Sequence, residues 1–233
     1  MGRVEFWFFR GCMSTFRERE ITEATLEILE RLEVVFHLFE RETCCGSVLF
    51  RTGLREEAER VRRKNEEEFS KLGVRRLLTA CPGCYSTFRE YSLSGVEVLH
   101  LVHLLHHMLR EGKLRLKEKR MRVTYHDPCH LGREWGIYEE PREILRSIPG
   151  LELVEMPLSR EFSRCCGAGG GVRSAFKELS SAVSRSRIGD ALDSGAQILV
   201  TSCPFCYHHL KEAAGGKMEV KDLSLLVRDL MEG

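Results

Sequence analysis

Arg164-Cys165-Cys166-Gly167-Ala168-Gly169-Gly170-Gly171 carries two adjacent cysteines straight into a glycine-rich turn. A shorter version, Thr43-Cys44-Cys45-Gly46-Ser47, stands 121 residues earlier. A Cys-Pro-x-Cys follows each pair: Cys81-Pro82-Gly83-Cys84 after the first, Cys203-Pro204-Phe205-Cys206 after the second. A single cysteine precedes each, Cys12 and Cys129. These motifs account for all ten cysteines, five and five, in the same order. Self-similarity of this kind predicts two copies of one supersecondary unit. The 233 residues suit two domains of roughly 115 residues, expected at 1–115 and 116–233.

Hydrophobic patterning repeats with the cysteines. In the first half it predicts strands at Val4–Phe8, Val34–Phe39, Arg75–Thr79 and Val96–Leu99. Helices are predicted over Thr15–Leu32, from a Thr52 cap through Phe69, from Pro82 to about Tyr91, and over Leu101–Arg110. The charged stretch Gly112–Arg120 reads as a linker. In the second half, strands are predicted at Met121–Tyr125, Leu151–Met156 and Ala196–Thr201. Helices are predicted at Pro141–Ser147 and Arg173–Asp193, with a short one from Pro204 and a mostly helical close over Val220–Met231. Strand–helix alternation predicts an α/β fold, because parallel neighbours need a crossover and a helix supplies it. In open parallel sheets ligands bind outside the carboxyl ends of the strands. Each cysteine group falls just after a predicted strand, so five thiols per half are expected to converge on one rim.

Composition narrows the function classes. The chain is 42% hydrophobic and 30% charged with a net charge of +1, so bulk electrostatics does not point to nucleic acid. The opening apolar run is too short and interrupted for a secretory signal, and no stretch approaches a membrane span. A cytoplasmic location is expected, where structural disulfides are uncommon and cysteine clusters bind metal or do redox chemistry.

Five thiols per half admit several readings. Packed structural cysteines explain a few of the ten but not their duplicated order. A Cys-x-x-Cys alone suits a redox disulfide. Four thiolates close a structural zinc site, with one cysteine left over. Thiolates also hold iron–sulfur clusters. Adjacent cysteines reach two corners of one compact cubane with difficulty, and more easily bridge neighbouring irons in a less regular cluster. Helix N-termini at Pro82 and Pro204 favour thiolate charge. Gly46, Gly167, Gly169 and Gly170, with Gly171, would let the backbone approach a cofactor closely.

The order single Cys, Cys-Cys-Gly, Cys-Pro-x-Cys, with gaps of 31 and 35 residues and then 35 and 36, resembles the cysteine-rich CCG-domain family. That family includes the B and D subunits of heterodisulfide reductase. It also includes iron–sulfur subunits of glycolate oxidase, lactate utilisation and anaerobic glycerol-3-phosphate dehydrogenase. Tyr125-His126-Asp127-Pro128-Cys129-His130-Leu131 also looks like the family's second repeat. The resemblance implies two tandem, pseudo-symmetric Rossmann-like domains with mostly parallel sheets. It implies that Cys12, Cys44, Cys45, Cys81 and Cys84 hold one noncubane [4Fe-4S] cluster, and Cys129, Cys165, Cys166, Cys203 and Cys206 the other. Some relatives hold zinc in one repeat, which stays an alternative. In heterodisulfide reductase the repeats face each other and a disulfide is cleaved between the clusters. The alternative roles are electron transfer from a dehydrogenase toward quinone and a zinc-stabilised scaffold.

The chain has no ferredoxin-type domain and no dinucleotide fingerprint. Electrons are therefore expected from an iron–sulfur or flavin partner subunit or a ferredoxin, peripheral to a membrane complex in one version of that role. His126, Asp127 and His130 flank Cys129, and are candidates for proton supply to a leaving thiolate or for hydrogen bonds to cluster sulfur. His208 and His209 are expected at solvated or supporting positions. His100, His103, His106 and His107 lack a metal-site pattern, with His100 best placed to reach the first cluster. Arg62, Arg63 and Lys64 with Glu66, Glu67 and Glu68 read as a solvated helix face, and Trp7 and Phe9 as core.

Overall fold

The computed structural model describes residues 5–91 and 93–232. Two four-stranded sheets are formed, and every strand pairing in them is parallel. The first holds β1 (Glu5–Phe9), β2 (Val35–Leu38), β3 (Arg76–Thr79) and β4 (Glu97–His100) in the order β2-β1-β3-β4. The second holds β5 (Met121–His126), β6 (Leu151–Leu153), β7 (Ile198–Thr201) and β8 (Glu219–Asp222) in the order β6-β5-β7-β8. The two orders are the same when the halves are superposed strand for strand. Phe8, Leu77, Leu78, Val123, Tyr125, Leu199 and Val200 on the central strands are fully buried. Helices cover both faces of such sheets, so these strands run apolar without alternation.

In the first half the helices are α1 (Cys12–Phe16), α2 (Arg19–Arg31), α3 (Ser47–Arg51), α4 (Arg55–Lys71), α5 (Pro82–Glu90) and α6 (Leu101–Arg110). In the second they are α7 (Gly132–Trp135), α8 (Glu139–Arg146), α9 (Val172–Ala175), α10 (Lys177–Asp193), α11 (Pro204–Ala214) and α12 (Leu223–Leu230). Several sequence expectations change. The helix expected over Thr15–Leu32 starts earlier and breaks at Arg17 and Glu18. Thr52 closes α3, its hydroxyl donating to the Val48 carbonyl at 2.8 Å, and does not open α4. The helix over Arg173–Asp193 breaks at Phe176, whose φ of −134° and ψ of 66° are not helical. β6 is three residues long, not six. The closing segment begins with β8, whose last residue Asp222 caps α12 by accepting the Ser224 amide at 2.9 Å. Val4, where the first strand was expected to begin, lies outside the described residues.

The charged stretch after α6 is not a free linker. Leu114 and Leu116 are buried, and the Lys117 amide donates to the Leu230 carbonyl at 2.7 Å. The Glu232 amide donates to the Arg115 carbonyl at 3.0 Å, so the chain's end zips onto the join. Charge patterning missed this because the charged side chains face water while the backbone pairs. The halves also interlock through helices. α2 packs on α12, and by the same symmetry α8 packs on α6. Arg31 Nη2 donates to the Met231 carbonyl at 2.8 Å, and His106 Nε2 meets Glu143 Oε2 at 2.7 Å. One continuous set of buried residues runs through both sheets.

Candidate cysteine-lined metal centre

Sheet topology sends the β1–α1, β2–α3 and β3–α5 turns to one rim, and their counterparts in the second half to another. The two rims face each other. All ten cysteines line a single cavity of about 170 Å³. The sequence expectation of one rim per half is therefore met, and the tertiary arrangement joins the two rims into one chamber.

Each turn has a local cause. Gly11 sits at φ +81°, and a Cβ there would lie 3.1 Å from Cys84 Sγ. The Glu42 carboxylate accepts the amides of Arg10 at 2.8 Å and Gly11 at 2.7 Å, which pins the Cys12 turn. Gly46 (φ +82°) and Gly167 (φ +86°) take the left-handed conformation that glycine adopts without strain. Their amides point back at sulfur: Gly46 N to Cys44 Sγ at 3.4 Å, and Gly167 N to Cys165 Sγ at 3.3 Å. The first Cys-Cys turn is braced by Tyr91 Oη donating to the Cys45 carbonyl at 2.6 Å and Asn65 Nδ2 donating to the Cys44 carbonyl at 3.0 Å. The second is braced by Ser180 Oγ donating to the Gly167 carbonyl at 2.8 Å, with His209 Nε2 at 2.9 Å from the same hydroxyl. Gly170 is left-handed, at φ +61°, whereas Gly169 is not, and neither would bring a Cβ within 4 Å of other groups.

The sulfurs form two contact networks with one electrostatic pattern. Cys44 accepts thiol hydrogen bonds from Cys12 and Cys45 and is pulled down to about 2. Cys165 is pulled far down by Cys129 and Cys166 in the same way. The donors Cys12 and Cys129 are pushed up, first by that hydrogen bond and then by burial. Cys45 and Cys84 rise, Cys81 falls through its bond from Cys84, and Cys166 and Cys206 rise. Cys206 Sγ lies 3.4 Å from Cys166 Sγ. All ten cysteines are free thiols. Five soft sulfur donors in mutual contact, beside amides directed at sulfur, fit a thiolate-bound metal or iron–sulfur cluster in each half.

The candidates around Cys129 separate. His130 lines the cavity and reaches over to the first half: a Cβ on Gly83 would lie 3.6 Å from His130 Nδ1. Its Nε2 is 3.3 Å from Glu134 Oε1, and burial followed by Arg51 lowers its affinity for a proton. Asp127 is buried and turned away, with both oxygens held by Arg142 at 2.6 and 2.9 Å and a further bond from the Arg160 amide at 2.9 Å. His126 is buried, pulled down to about 3 by burial and by Arg187, and accepts the Arg187 Nε–H at Nδ1 at 3.1 Å. A ring nitrogen of His126 and the Sγ atoms of Cys166 and Cys206 all lie within 4.8 Å of one another.

Sequence reasoning passed over two arginines in the cavity wall, Arg51 and Arg173. They stand six and seven residues beyond the last cysteine of each adjacent pair, a recurrence that was available as a signal. Arg51 Nη2 donates to Ser86 Oγ at 3.3 Å and Glu134 Oε2 at 3.2 Å, and its Nε is buried without a hydrogen-bond partner among the described residues. Arg173 Nη2 donates to Glu212 at 2.7 Å. His100 does not line the cysteine cavity. It caps α6 by accepting the Val102 amide at 3.2 Å, and lies with Asp222 on a separate small cavity between the halves. His208 is paired with Glu18 across the halves. Phe9 is core, and Trp7 stacks half-buried on His37 and Phe39.

Among known proteins, the chain is similar to the D subunit of dihydromethanophenazine:CoB–CoM heterodisulfide reductase from Methanosarcina acetivorans, at 37% identity over 94% of this chain and 57% of that one. It is 40% identical to an uncharacterized iron–sulfur protein of Methanocaldococcus jannaschii over 88% of this chain and 41% of that one. It is 35% identical to the B subunit of fumarate reductase (CoM/CoB) of Methanothermobacter marburgensis over 94% and 44%. The chain thus spans little more than half the length of the curated relatives it matches, or less. Among solved structures, a hypothetical protein from Helicobacter pylori shares the fold, with a TM-score of 0.67 at 11% identity over all of this chain and 50% of that one. The profile of the cysteine-rich domain matches residues 6–89 and again 123–211, the two segments that carry the facing sulfur sets, and the chain belongs to that family, CCG.

Proposed function

We propose that this chain is an iron–sulfur oxidoreductase subunit that reduces a disulfide or related small sulfur substrate at two noncubane [4Fe-4S] clusters, one held by each repeat domain. The observation that carries the reading is that all ten cysteines line one cavity, so a substrate in it meets both sulfur sets at once. Cys12, Cys44, Cys45, Cys81 and Cys84 would hold one cluster, and Cys129, Cys165, Cys166, Cys203 and Cys206 the other. Bound clusters would supply single electrons beside an iron site open to sulfur. Similarity to the D subunit of a heterodisulfide reductase supports the disulfide.

Cleavage of a disulfide to two thiols takes up two electrons and two protons. Electrons would come from an iron–sulfur or flavin subunit or a ferredoxin. His130, in the cavity wall, would hand a proton to a leaving thiolate, with Glu134 beside its Nε2. Arg51 and Arg173, in the cavity wall, would draw the acidic ends of a small substrate into the chamber. Similarity to an EtfAB:quinone oxidoreductase of Syntrophomonas wolfei supports a second reading, in which the same clusters pass electrons without a sulfur substrate. Among the described residues no helix is long and apolar enough to cross a membrane.

Anaerobic purification followed by iron, acid-labile sulfide and zinc analysis tests the cofactor. Two four-iron clusters give roughly eight irons and eight sulfides per chain. Zinc alone under iron-loading conditions rules the proposal out. Disulfide reduction with a reduced viologen as donor then separates the two enzymatic readings.

A further inference from the structure

The sulfur sets are related by symmetry but their backing is not. Phe9 pairs with Thr79 across β1 and β3, and His126 pairs with Thr201 across β5 and β7. Phe9 and His126 therefore occupy the same position in the two repeats, three residues before Cys12 and Cys129. Behind the first set, Phe9 packs edge-on against Phe88 at 4.7 Å and Phe39 at 6.0 Å, with Phe69 closing the cluster. No side-chain hydrogen-bond donor exists at that position. Behind the second set, His126 meets Arg187, which is fully buried and also donates to the Leu158 carbonyl at 2.9 Å and Ser163 Oγ at 3.0 Å.

The Arg187 contact fixes the tautomer of His126. A guanidinium has only donors, so the Nδ1 it approaches at 3.1 Å must be the unprotonated nitrogen. With Nδ1 unprotonated, the ring carries its hydrogen on Nε2. A ring nitrogen lies within 4.8 Å of Cys166 Sγ and Cys206 Sγ, and Nδ1 is committed to Arg187. With Nδ1 so taken, the ring's remaining nitrogen, Nε2, is an N–H donor with no lone pair for a metal. Hydrogen bonds to cluster sulfur stabilise the more negative, reduced state and raise the reduction potential.

We propose that His126 Nε2–H is a hydrogen-bond donor to the sulfur set of the second repeat, and that this bond, which Phe9 cannot make in the first, holds the second cluster at the higher reduction potential. Electrons entering the chamber then settle on the second repeat, which gives two otherwise similar clusters an order. His126 is a positioning and tuning residue in this account, acting through the cysteines. The proposal rests on the two-cluster reading given above.

The test is an anaerobic redox titration followed by EPR on the full chain and on two variants, with iron and sulfide measured on each. His126→Phe places in the second repeat the residue the first already tolerates. It should lower the higher midpoint potential and leave the lower one in place, while His126→Gln, which keeps an N–H near the Nε2 position, should retain the wild-type value. Two loaded clusters whose potentials are unmoved by His126→Phe, or a His126→Gln protein that behaves like the Phe variant, overturn the hydrogen bond while leaving the two-cluster reading intact. A wild-type chain without iron in the second repeat overturns both, and metal analysis identifies that case. Where His126→Phe fails to load, pulsed EPR of wild-type protein carrying ¹⁵N-histidine decides. Weak nitrogen coupling to the higher-potential cluster supports the donor, and the strong coupling of a direct iron–nitrogen bond, or none, overturns it.

Discussion

Glu134, on the short helix after Cys129, accepts the hydroxyl of Ser86, which stands two residues beyond Cys84 in the other half, at 2.5 Å. The symmetry-related contact joins Glu18, in the turn after Cys12 and α1, to His208, two residues beyond Cys206. Glu20 adds Tyr207 at 2.5 Å and Lys211 at 3.2 Å. Each Cys-Pro-x-Cys helix is thereby tied to the turn that follows the single cysteine of the opposite repeat. The spacing between the two sulfur sets is set by bonds that no single repeat could make.

Glu134→Ala should loosen one of these ties. It removes the acceptor of Ser86 and Arg51 and the partner of His130. Glu134 is a third exposed, so water screens the ionic part and the expected loss is about 1–2 kcal/mol. A urea midpoint that does not move would show that the tie contributes nothing to the junction.

Arg142→Met should be costlier. Arg142 is fully buried, grips both oxygens of Asp127 and also bonds Glu155 at 2.7 and 3.0 Å. Removing one partner of a buried pair strands the other charge, at a cost of roughly 3–5 kcal/mol. The double change Arg142→Met with Asp127→Leu should recover much of that loss. Equal destabilisation of the single and double variants in a denaturant titration would contradict the account.

The glycines of the second turn should differ sharply. A Cβ on Gly167 would sit 2.7 Å from the Ser180 carbonyl oxygen and at φ +86°, whereas one on Gly169 meets open space outside the left-handed region. The left-handed conformation alone costs an alanine about 1–2 kcal/mol, before the clash is counted. Gly167→Ala should lower the melting temperature and reduce iron in the second repeat, and Gly169→Ala should do neither. Matching melts and iron contents for the two variants would remove the steric argument.

Acid should destabilise the junction through His100. Burial pulls His100 from its ordinary 6.5 down to about 3, and lowers His103 as well. Above pH 6.5 both rings are neutral whether the chain is folded or not. Below it the unfolded chain takes up protons that the folded one refuses, so stability present above 6.5 falls as the pH drops toward 3. His100→Asn keeps the cap on α6, as Asp222 does on α12, and should flatten that fall. Superimposable stability–pH curves for wild type and variant would exclude His100 as the cause.

The strand–helix order, the repeat and the ten cysteines were readable in the chain because each rests on local physics. Apolar runs at β3 and β7, glycine after each adjacent cysteine pair, and proline at the start of α5 and α11 act within a few residues of themselves. Boundaries failed where a distant partner decides them. β8 becomes a strand because β7 offers it an edge, and the 112–120 stretch is ordered because Leu230 and Glu232 return to pair with it. Asp127 and His130, three residues apart, looked alike in sequence and end in different places, one locked to Arg142 and the other in the cavity wall.

The sequence by itself determined that five thiols in each half would gather at the carboxyl ends of a parallel sheet, since motif spacing and crossover handed each cysteine to a strand end. Only the tertiary structure decided that the two gatherings share one chamber, that Arg51 and Arg173 enter its wall, and that Phe9 and His126 back its two sides unequally. Those features depend on how α2 meets α12 and α6 meets α8, and on which side chain from α10 reaches β5. Such contacts join residues tens to hundreds of positions apart, and neither periodicity nor spacing along the chain records them.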